Sequence, residues 1–328
     1  MSKDSSQRIR TLLIKTLQDG KFHSGEDLAD TFDLSRSAIS NHVKALGELG
    51  LEIFSVKGRG YKLANKIELL SHNQINQFLS PSNKRQNSLI HVENLVTSTN
   101  DIIKAQLHSA ESGYCCLAEA QSAGRGRRGK TWVSPYASSL YFSMLWRFSS
   151  GYQAMAGLSL MVGVIVNDTL NELGLAQCQL KWPNDIYINN QKLAGILIEV
   201  EGQVGASASA IIGIGVNIRL PNNVSGIDQA FTDLHSISEQ EISRNKFAAL
   251  LIQNLWKALP LFERDGMKPF IKRWLQADLY QNKEIKLLSG DNVTVGLSRG
   301  IDETGALLLE IDGKIKAFHG GEISVRAA

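Results

Sequence analysis

Gln121-Ser122-Ala123-Gly124-Arg125-Gly126-Arg127-Arg128-Gly129-Lys130-Thr131-Trp132 is the stretch on which the reading of this 328-residue chain turns. Between Gly124 and Lys130 it holds four cations and three glycines, which cannot form a core strand. Glycine lets a backbone lie close to a ligand, and guanidinium groups offer planar, paired donors suited to phosphate or carboxylate. A disordered basic loop or an RNA-binding segment has the same composition. Position argues for a functional loop: the stretch lies between a short strand at Tyr114–Ala118 and a strand at Leu140–Leu145, inside a folded unit.

On the upstream side, an apolar strand from Leu89 to Val96 runs into Thr97-Ser98-Thr99-Asn100-Asp101. Ser98 or Thr99 can cap a helix carrying Ile102, Ile103 and Leu107. The same hydroxyls and amide at a helix start can also recognise a small polar head group. Downstream, the helix Ala154–Leu173 is packing material and ends at Gly174. Lys181-Trp182-Pro183-Asn184-Asp185 then precedes two strands, Ile186–Ile188 and Leu193–Val200, joined through Asn189-Asn190-Gln191. Lys181 and Lys192 flank this hairpin with Asp185 beside them, giving two fixed positive charges and one hard oxygen suited to Mg²⁺. A surface ion pair accounts for any two of these residues but less easily for all three. In the strand Ala210–Asn217, Gly213 and Gly215 either leave room for a ligand or mark a bulge.

The first 64 residues read as a separate unit. Ile9, Leu12, Leu13, Thr16 and Leu17 recur at helical spacing up to Asp19-Gly20. Ser24, with Asp27 three positions on, opens a second helix, and Phe32-Asp33-Leu34 ends it. Ser35 starts a third, with Ile39, Val43 and Leu46 on one face and Arg36, Ser37, Ser40, Asn41 and Lys44 on the other. Ile53–Val56 and Tyr61–Leu63 are strands around the turn Lys57-Gly58-Arg59-Gly60. This is a winged helix-turn-helix order, with Ser35, Arg36, Ser37, Ser40, Asn41 and Lys44 placed for a DNA groove and Lys57 and Arg59 at the wing tip. A docking module with solvated polar faces is the alternative.

At the far end, Ile285–Leu288, Val293–Leu297, Leu307–Leu309 and Ile315–Phe318 are short strands separated by turn signals, the spacing of a small barrel. The chain thus divides into an α+β arrangement of three regions, 1–64, 65–275 and 276–328. Apolar residues make up 43% and charged residues 20%, and no run approaches the ~20 apolar residues of a membrane span. Residues Met1 to Ser6 lack the apolar core of a secretion signal, so a cytoplasmic address without membrane contact is expected. The three cysteines imply no disulfide framework, and the seven histidines are dispersed, so a transition-metal site is not expected. A net charge of +3 leaves the placement of charges to decide nucleic-acid binding.

With these residues in view the chain resembles the bifunctional biotin–protein ligases that also repress the biotin operon. The winged head, Ser98-Thr99-Asn100, Gly124–Gly129, Lys181–Asp185, Lys192-Leu193-Ala194-Gly195, Gly213–Asn217 and Gly320-Gly321-Glu322-Ile323-Ser324 carry the resemblance in order. It implies a central mixed sheet with helices, related to class II aminoacyl-tRNA synthetases, followed by an SH3-like barrel. The implied reaction joins biotin and MgATP into biotinyl-5′-AMP and transfers biotin to a lysine of the biotin carboxyl carrier protein of acetyl-CoA carboxylase. By the same resemblance Ser98, Thr99, Asn100, Gln121, Arg125, Gly126 and Arg127 contact biotin, and Lys192 serves its carboxylate and the α-phosphate. Lys181, Asp185 and Asn217 form the nucleotide and Mg²⁺ group, Phe231 is the aromatic candidate to cover adenine within Arg219–Ser243, and Arg127 retains the adenylate. Adenylate-promoted homodimers on operator DNA are implied too. A ligand-sensing transcription factor and a lipoate or octanoyl transferase are the rival readings, the first needing no phosphate-activating group and the second lacking a DNA head.

Overall fold

The computed structural model describes residues 3–175, 178–202, 207–238, 240–321 and 323–328; Glu322 of the terminal motif, and Met1 and Ser2, lie outside them. In the head, α1 (Lys3–Leu17) turns Leu13, Ile14 and Leu17 into the core, while Leu12, grouped with them by spacing, stays 40% exposed. The inward stripe therefore runs through Ile14. α2 (Gly25–Phe32) starts where Ser24 Oγ accepts from Asp27 N–H at 3.0 Å, and stops at Asp33, left-handed with φ 52°. α3 (Arg36–Glu48) is capped by Ser35, whose Oγ accepts from Ala38 N–H at 3.2 Å. It buries Ile39, Val43 and Leu46 and leaves Arg36, Ser37, Asn41 and Lys44 exposed, with Ser40 half-buried. β1 (Ile53–Val56) and β2 (Gly60–Leu63) pair antiparallel as the wing. Gly60 is obligatory: its φ is 94°, and a Cβ there would fall 1.9 Å from the His23 carbonyl oxygen.

The middle of the chain adds α4 (His72–Phe78), β3 (Ile90–Val96), α5 (Thr99–Ala105), β4 (Cys115–Gln121), β5 (Ser139–Phe148), α6 (Leu158–Glu172), β6 (Gln179–Lys181), β7 (Asp185–Ile188), β8 (Gln191–Gly202) and β9 (Ala208–Asn217). The strands form one sheet in the order β3-β4-β5-β9-β8-β7-β6, with β3 and β4 parallel and the other neighbours antiparallel. Asn189 and Asn190, both at positive φ, make the β7–β8 turn. Then follow α7 (Leu234–Ile237), α8 (Arg244–Asp265) and α9 (Ile271–Ala277). α6 packs against α8 and α9 over the sheet. The segment Tyr152–Glu172 has the length and apolarity of a membrane span, yet most of it is α6, a core helix with Met161, Val162, Val166 and Leu170 fully buried.

The last region is β10 (Glu284–Ser289), β11 (Asn292–Ile301), β12 (Leu307–Ile311), β13 (Lys314–Phe318) and β14 (Ile323–Ala327). They pair antiparallel in the order β13-β12-β11-β10-β14. The barrel expected from the strand spacing is here an open five-stranded sheet, with β13 and β14 on its two edges. α8, α9 and β14 are elements the sequence reading did not name, and α9 continues past residue 275 to Ala277.

Candidate active site

The basic stretch is a hydrogen-bonded hairpin. Trp132 N–H donates to the Gly124 carbonyl at 2.9 Å and Gly126 N–H to that of Lys130 at 2.7 Å, with Arg125 bridging Thr131. Its tip is a tight turn at Arg127–Gly129 in which Arg128 and Gly129 both take positive φ. Gly124 permits the closure, since a Cβ there would lie 2.4 Å from the Trp132 carbonyl oxygen. The cations diverge. Arg125 donates to Asp101 at 2.7 Å and to Glu199 at 3.3 Å, so the guanidinium expected at a ligand is engaged by the chain's own acids and ties the loop to α5 and β8. That guanidinium holds the Asp101 carboxyl below its ordinary range. Arg127 instead donates to Asn184 Oδ1 at 3.0 Å and to the Gly321 carbonyl, and has no carboxylate partner among the described residues. Burial pushes its guanidinium down from the ordinary arginine value.

Under the loop lies a cleft of about 1060 Å³ bordered by Ser98, Thr99, Asn100, Gln121, Arg125, Gly126, Arg127, Asp185 and Lys192. One end of it is a hydrogen-bonded set of uncharged groups. Ser98 caps α5; Thr99 N–H donates to Gln121 Oε1 at 2.9 Å; Thr99 Oγ1 lies 2.6 Å from Ser143 Oγ, which donates to Asn100 Oδ1. Asn100 Nδ2 donates to Glu199 Oε2 at 2.6 Å. Ser143 and Glu199 are functional-site neighbours that sequence reasoning missed; the available signal was a hydroxyl and a carboxylate within otherwise apolar strands. Gly213 makes room for the Asn100 amide, 2.6 Å from where its Cβ would be, and Gly215 for the Trp132 indole at 2.5 Å. The β5–β9–β8 register runs unbroken through both, so neither marks a bulge, and the space they free is filled by the chain's own side chains.

Beyond Trp132 a second cleft, about 1260 Å³, is bordered by Lys181, Lys192, Asn217, Phe231, Lys130 and Arg326, among others. Trp132, Lys192, Lys130 and Arg326 border both clefts. Lys192 Nζ sits 2.7 Å from Asp185 Oδ1 and 5.5 Å from the Trp132 ring centroid, so it stands where the clefts meet. Lys181 is buried at 7% exposure; its ammonium donates to the Tyr187 hydroxyl at 3.2 Å and lies within ion-pair reach of no carboxylate among the described residues. Burial, then the nearby Arg326, push it down to about 8. Asn217 is buried and donates to the Thr232 carbonyl, while Phe231 bridges Lys192 through the pairing of residues 230–232 with the start of β8. Arg326, from β14, carried no local sequence signal. An uncharged, hydrogen-bonded end of one cleft, with cations gathered where it meets the second, suits joining an organic acid to a polyphosphate.

In the head, the polar face of α3 is open, although Ser35 Oγ is engaged as the helix cap. Lys57 is exposed at the wing tip, and the Arg59 guanidinium stacks 4.3 Å from the Phe22 ring centroid while remaining exposed.

Comparison with known proteins matches three segments: an HTH domain over residues 8–62, the Biotin/lipoate A/B protein ligase family over 92–217, and the Biotin protein ligase C terminal domain over 281–326. The bifunctional ligase/repressor BirA of Escherichia coli is 42% identical over 317 residues, covering 96% of this chain and 97% of that protein. Its Bacillus subtilis counterpart is 29% identical over 93% of this chain. A solved biotin protein ligase from Aquifex aeolicus, in complex with biotin and ATP, superposes with a TM-score of 0.65 at 28% identity, over 73% of this chain and 99% of that one. The head, the two clefts and the relatives agree, and the chain belongs to the bifunctional ligase/repressor family of biotin protein ligases.

Proposed function

We propose that this protein activates biotin with ATP, forming biotinyl-5′-AMP and pyrophosphate, and then passes the biotinyl group to a lysine of the biotin carboxyl carrier protein. The observation that carries this reading is Lys192 standing where a cleft with an uncharged, hydrogen-bonded far end meets a second, cationic one. The uncharged end of the first cleft, with Ser98, Thr99, Asn100 and Gln121, and with Arg125 and Gly126 of the loop beside it, takes the biotin head. Lys181, Asn217 and Phe231 border the nucleotide cleft, with Phe231 the aromatic beside the base.

In the first step a carboxylate oxygen bonds to the α-phosphorus and the bond to pyrophosphate breaks. Two anions must approach, so Lys192 and Arg127 offset charge on a fixed scaffold at little reorganisation cost. In the second step the acceptor amine attacks the acyl carbon, AMP leaves with the bonding pair, and the amine proton passes to solvent or phosphate. Arg127, on the loop, retains the adenylate between the steps, and loop closure keeps water from the anhydride. Asp185, beside Lys192, is the hard oxygen donor that would hold a Mg²⁺ arriving with the nucleotide, where the ion would offset phosphate charge.

The head serves as the operator-binding part of a biotin-responsive repressor, with α3 in the groove, Lys57 and Arg59 at the backbone and biotinyl-5′-AMP as corepressor. A homodimer would set two heads about 34 Å apart or a multiple of it. The working division is 1–64 head, 65–275 ligase and 276–328 an SH3-like unit whose Arg326 and Gly321 carbonyl reach the clefts, in a cytoplasmic protein without membrane contact.

Biotin-dependent exchange of labelled pyrophosphate into ATP tests the ligase reading. Exchange with biotin and none with lipoate is expected; no exchange with biotin overturns it, and exchange with lipoate alone moves the chain to the lipoate branch of its superfamily.

A further inference from the structure

We propose that Tyr280, on the segment joining α9 to the C-terminal sheet, is a positioning residue for Lys181: its ring and that of Tyr187 hold the ammonium between them and aim it into the cationic cleft. The proposal rests on reading that cleft as the nucleotide site. Lys181 Nζ lies 4.7 Å from the Tyr187 ring centroid and 6.0 Å from that of Tyr280, within the range of attraction between a cation and an aromatic face. The charged groups around it do not explain its placement. Arg326 from β14, Lys192 from β8 and Lys130 from the loop repel it; Asp185 from β7 attracts it but is engaged with Lys192 at 2.7 Å. A lysine side chain is long and flexible, so a buried one without a carboxylate clamp needs another restraint. Beside the hydrogen bond to the Tyr187 hydroxyl, the aromatic faces are that restraint.

Tyr280 is itself held firmly. Its N–H donates to Asp278 Oδ1 at 2.9 Å, and Leu279 N–H donates to the carbonyl of Leu180, the residue before Lys181, at 2.9 Å. Asp278 also forms a parallel bridge with Leu180. The segment is thus laid along β6 as a short added strand, and it brings Tyr280 to Lys181 from outside the ladder that carries Tyr187. Its ring, not its hydroxyl, carries the effect, because the only hydrogen bond made by the Lys181 ammonium among the described residues goes to Tyr187.

Pyrophosphate exchange in the full-length protein, with ATP and biotin varied separately, tests this. Tyr280→Leu is expected to raise KM for ATP about five- to tenfold with KM for biotin within about twofold, and Tyr280→Phe to restore KM for ATP to near wild type. Tyr280→Met carries the same expectation as Leu and serves if Leu does not fold. Unchanged KM for ATP in the Leu or Met protein, or a Phe protein as impaired as Leu, overturns the proposal. Lys181→Met separates the two ideas: if it raises KM for ATP while Tyr280→Leu does not, the aromatic hold fails and the nucleotide reading stands; if Lys181→Met leaves KM for ATP unchanged, the nucleotide reading fails.

Discussion

The far ends of the two clefts that meet at Trp132 are built on opposite principles. On one side Ser98, Thr99, Asn100, Gln121 and Ser143 are uncharged and bonded to one another, so each donor and acceptor is oriented before a ligand arrives. At the other end Lys181 forms no ion pair among the described residues, and the repulsion it feels from Lys130 and Arg326, which border both clefts, is left for an anion to relieve. Preorganised hydrogen bonds select a shape, because an ill-fitting ligand leaves buried polar groups unpaired. Uncompensated charge selects for charge and tolerates shape.

Lys192 belongs to both clefts, and removing it should break both at once. Lys192→Ala takes away the charge at the junction and leaves the Asp185 carboxylate, 17% exposed, without its partner. Biotin-dependent pyrophosphate exchange is expected to fall about a thousandfold or more, with KM for both substrates disturbed. A loss below tenfold would mean that the junction is elsewhere.

A smaller effect tests the scaffold behind the cationic cleft. Burial raises the Asp278 carboxyl to about 6, from an ordinary value of 3.8. The folded state therefore prefers the protonated form: the associated stability is fully present below about pH 4 and is lost as pH rises through 6. Asp278→Asn keeps an acceptor for Tyr280 N–H and removes this titration. Between pH 4 and 7 the wild-type Tm should fall relative to that of the variant by a few degrees; parallel Tm curves would show that Asp278 is solvated.

The parts of this design legible in the sequence were the ones governed by local rules. The caps at Ser24 and Ser35, a cap at Ser98 or Thr99 that the structure assigns to Ser98, and the turn at Asn189-Asn190 each follow from a few neighbouring residues. Partner choice was not legible, since it is set across the sheet. Arg125 reads as a ligand grip, and its ion pairs with Asp101 and Glu199 become visible only once α5 and β8 are in place. Ser143, Arg326 and Tyr280 are silent in isolation and acquire meaning only when β5, β14 and the segment after α9 fold against the clefts. α8 was overlooked although Phe247, Leu251, Leu255, Leu259 and Phe262 keep helical spacing; Pro260 interrupts the pattern, and the helix accommodates it on an exposed face. β14 was read as a motif and not as a strand because it follows two glycines and is only five residues long.

The division of labour between the clefts is tested most directly by measuring both Michaelis constants in pyrophosphate exchange for Asn100→Ala and Lys181→Met. Crossed effects are expected: Asn100→Ala raises KM for biotin about tenfold or more with KM for ATP within about twofold, and Lys181→Met does the reverse. Equal effects on both substrates in either variant would contradict it, showing one shared pocket where two are inferred.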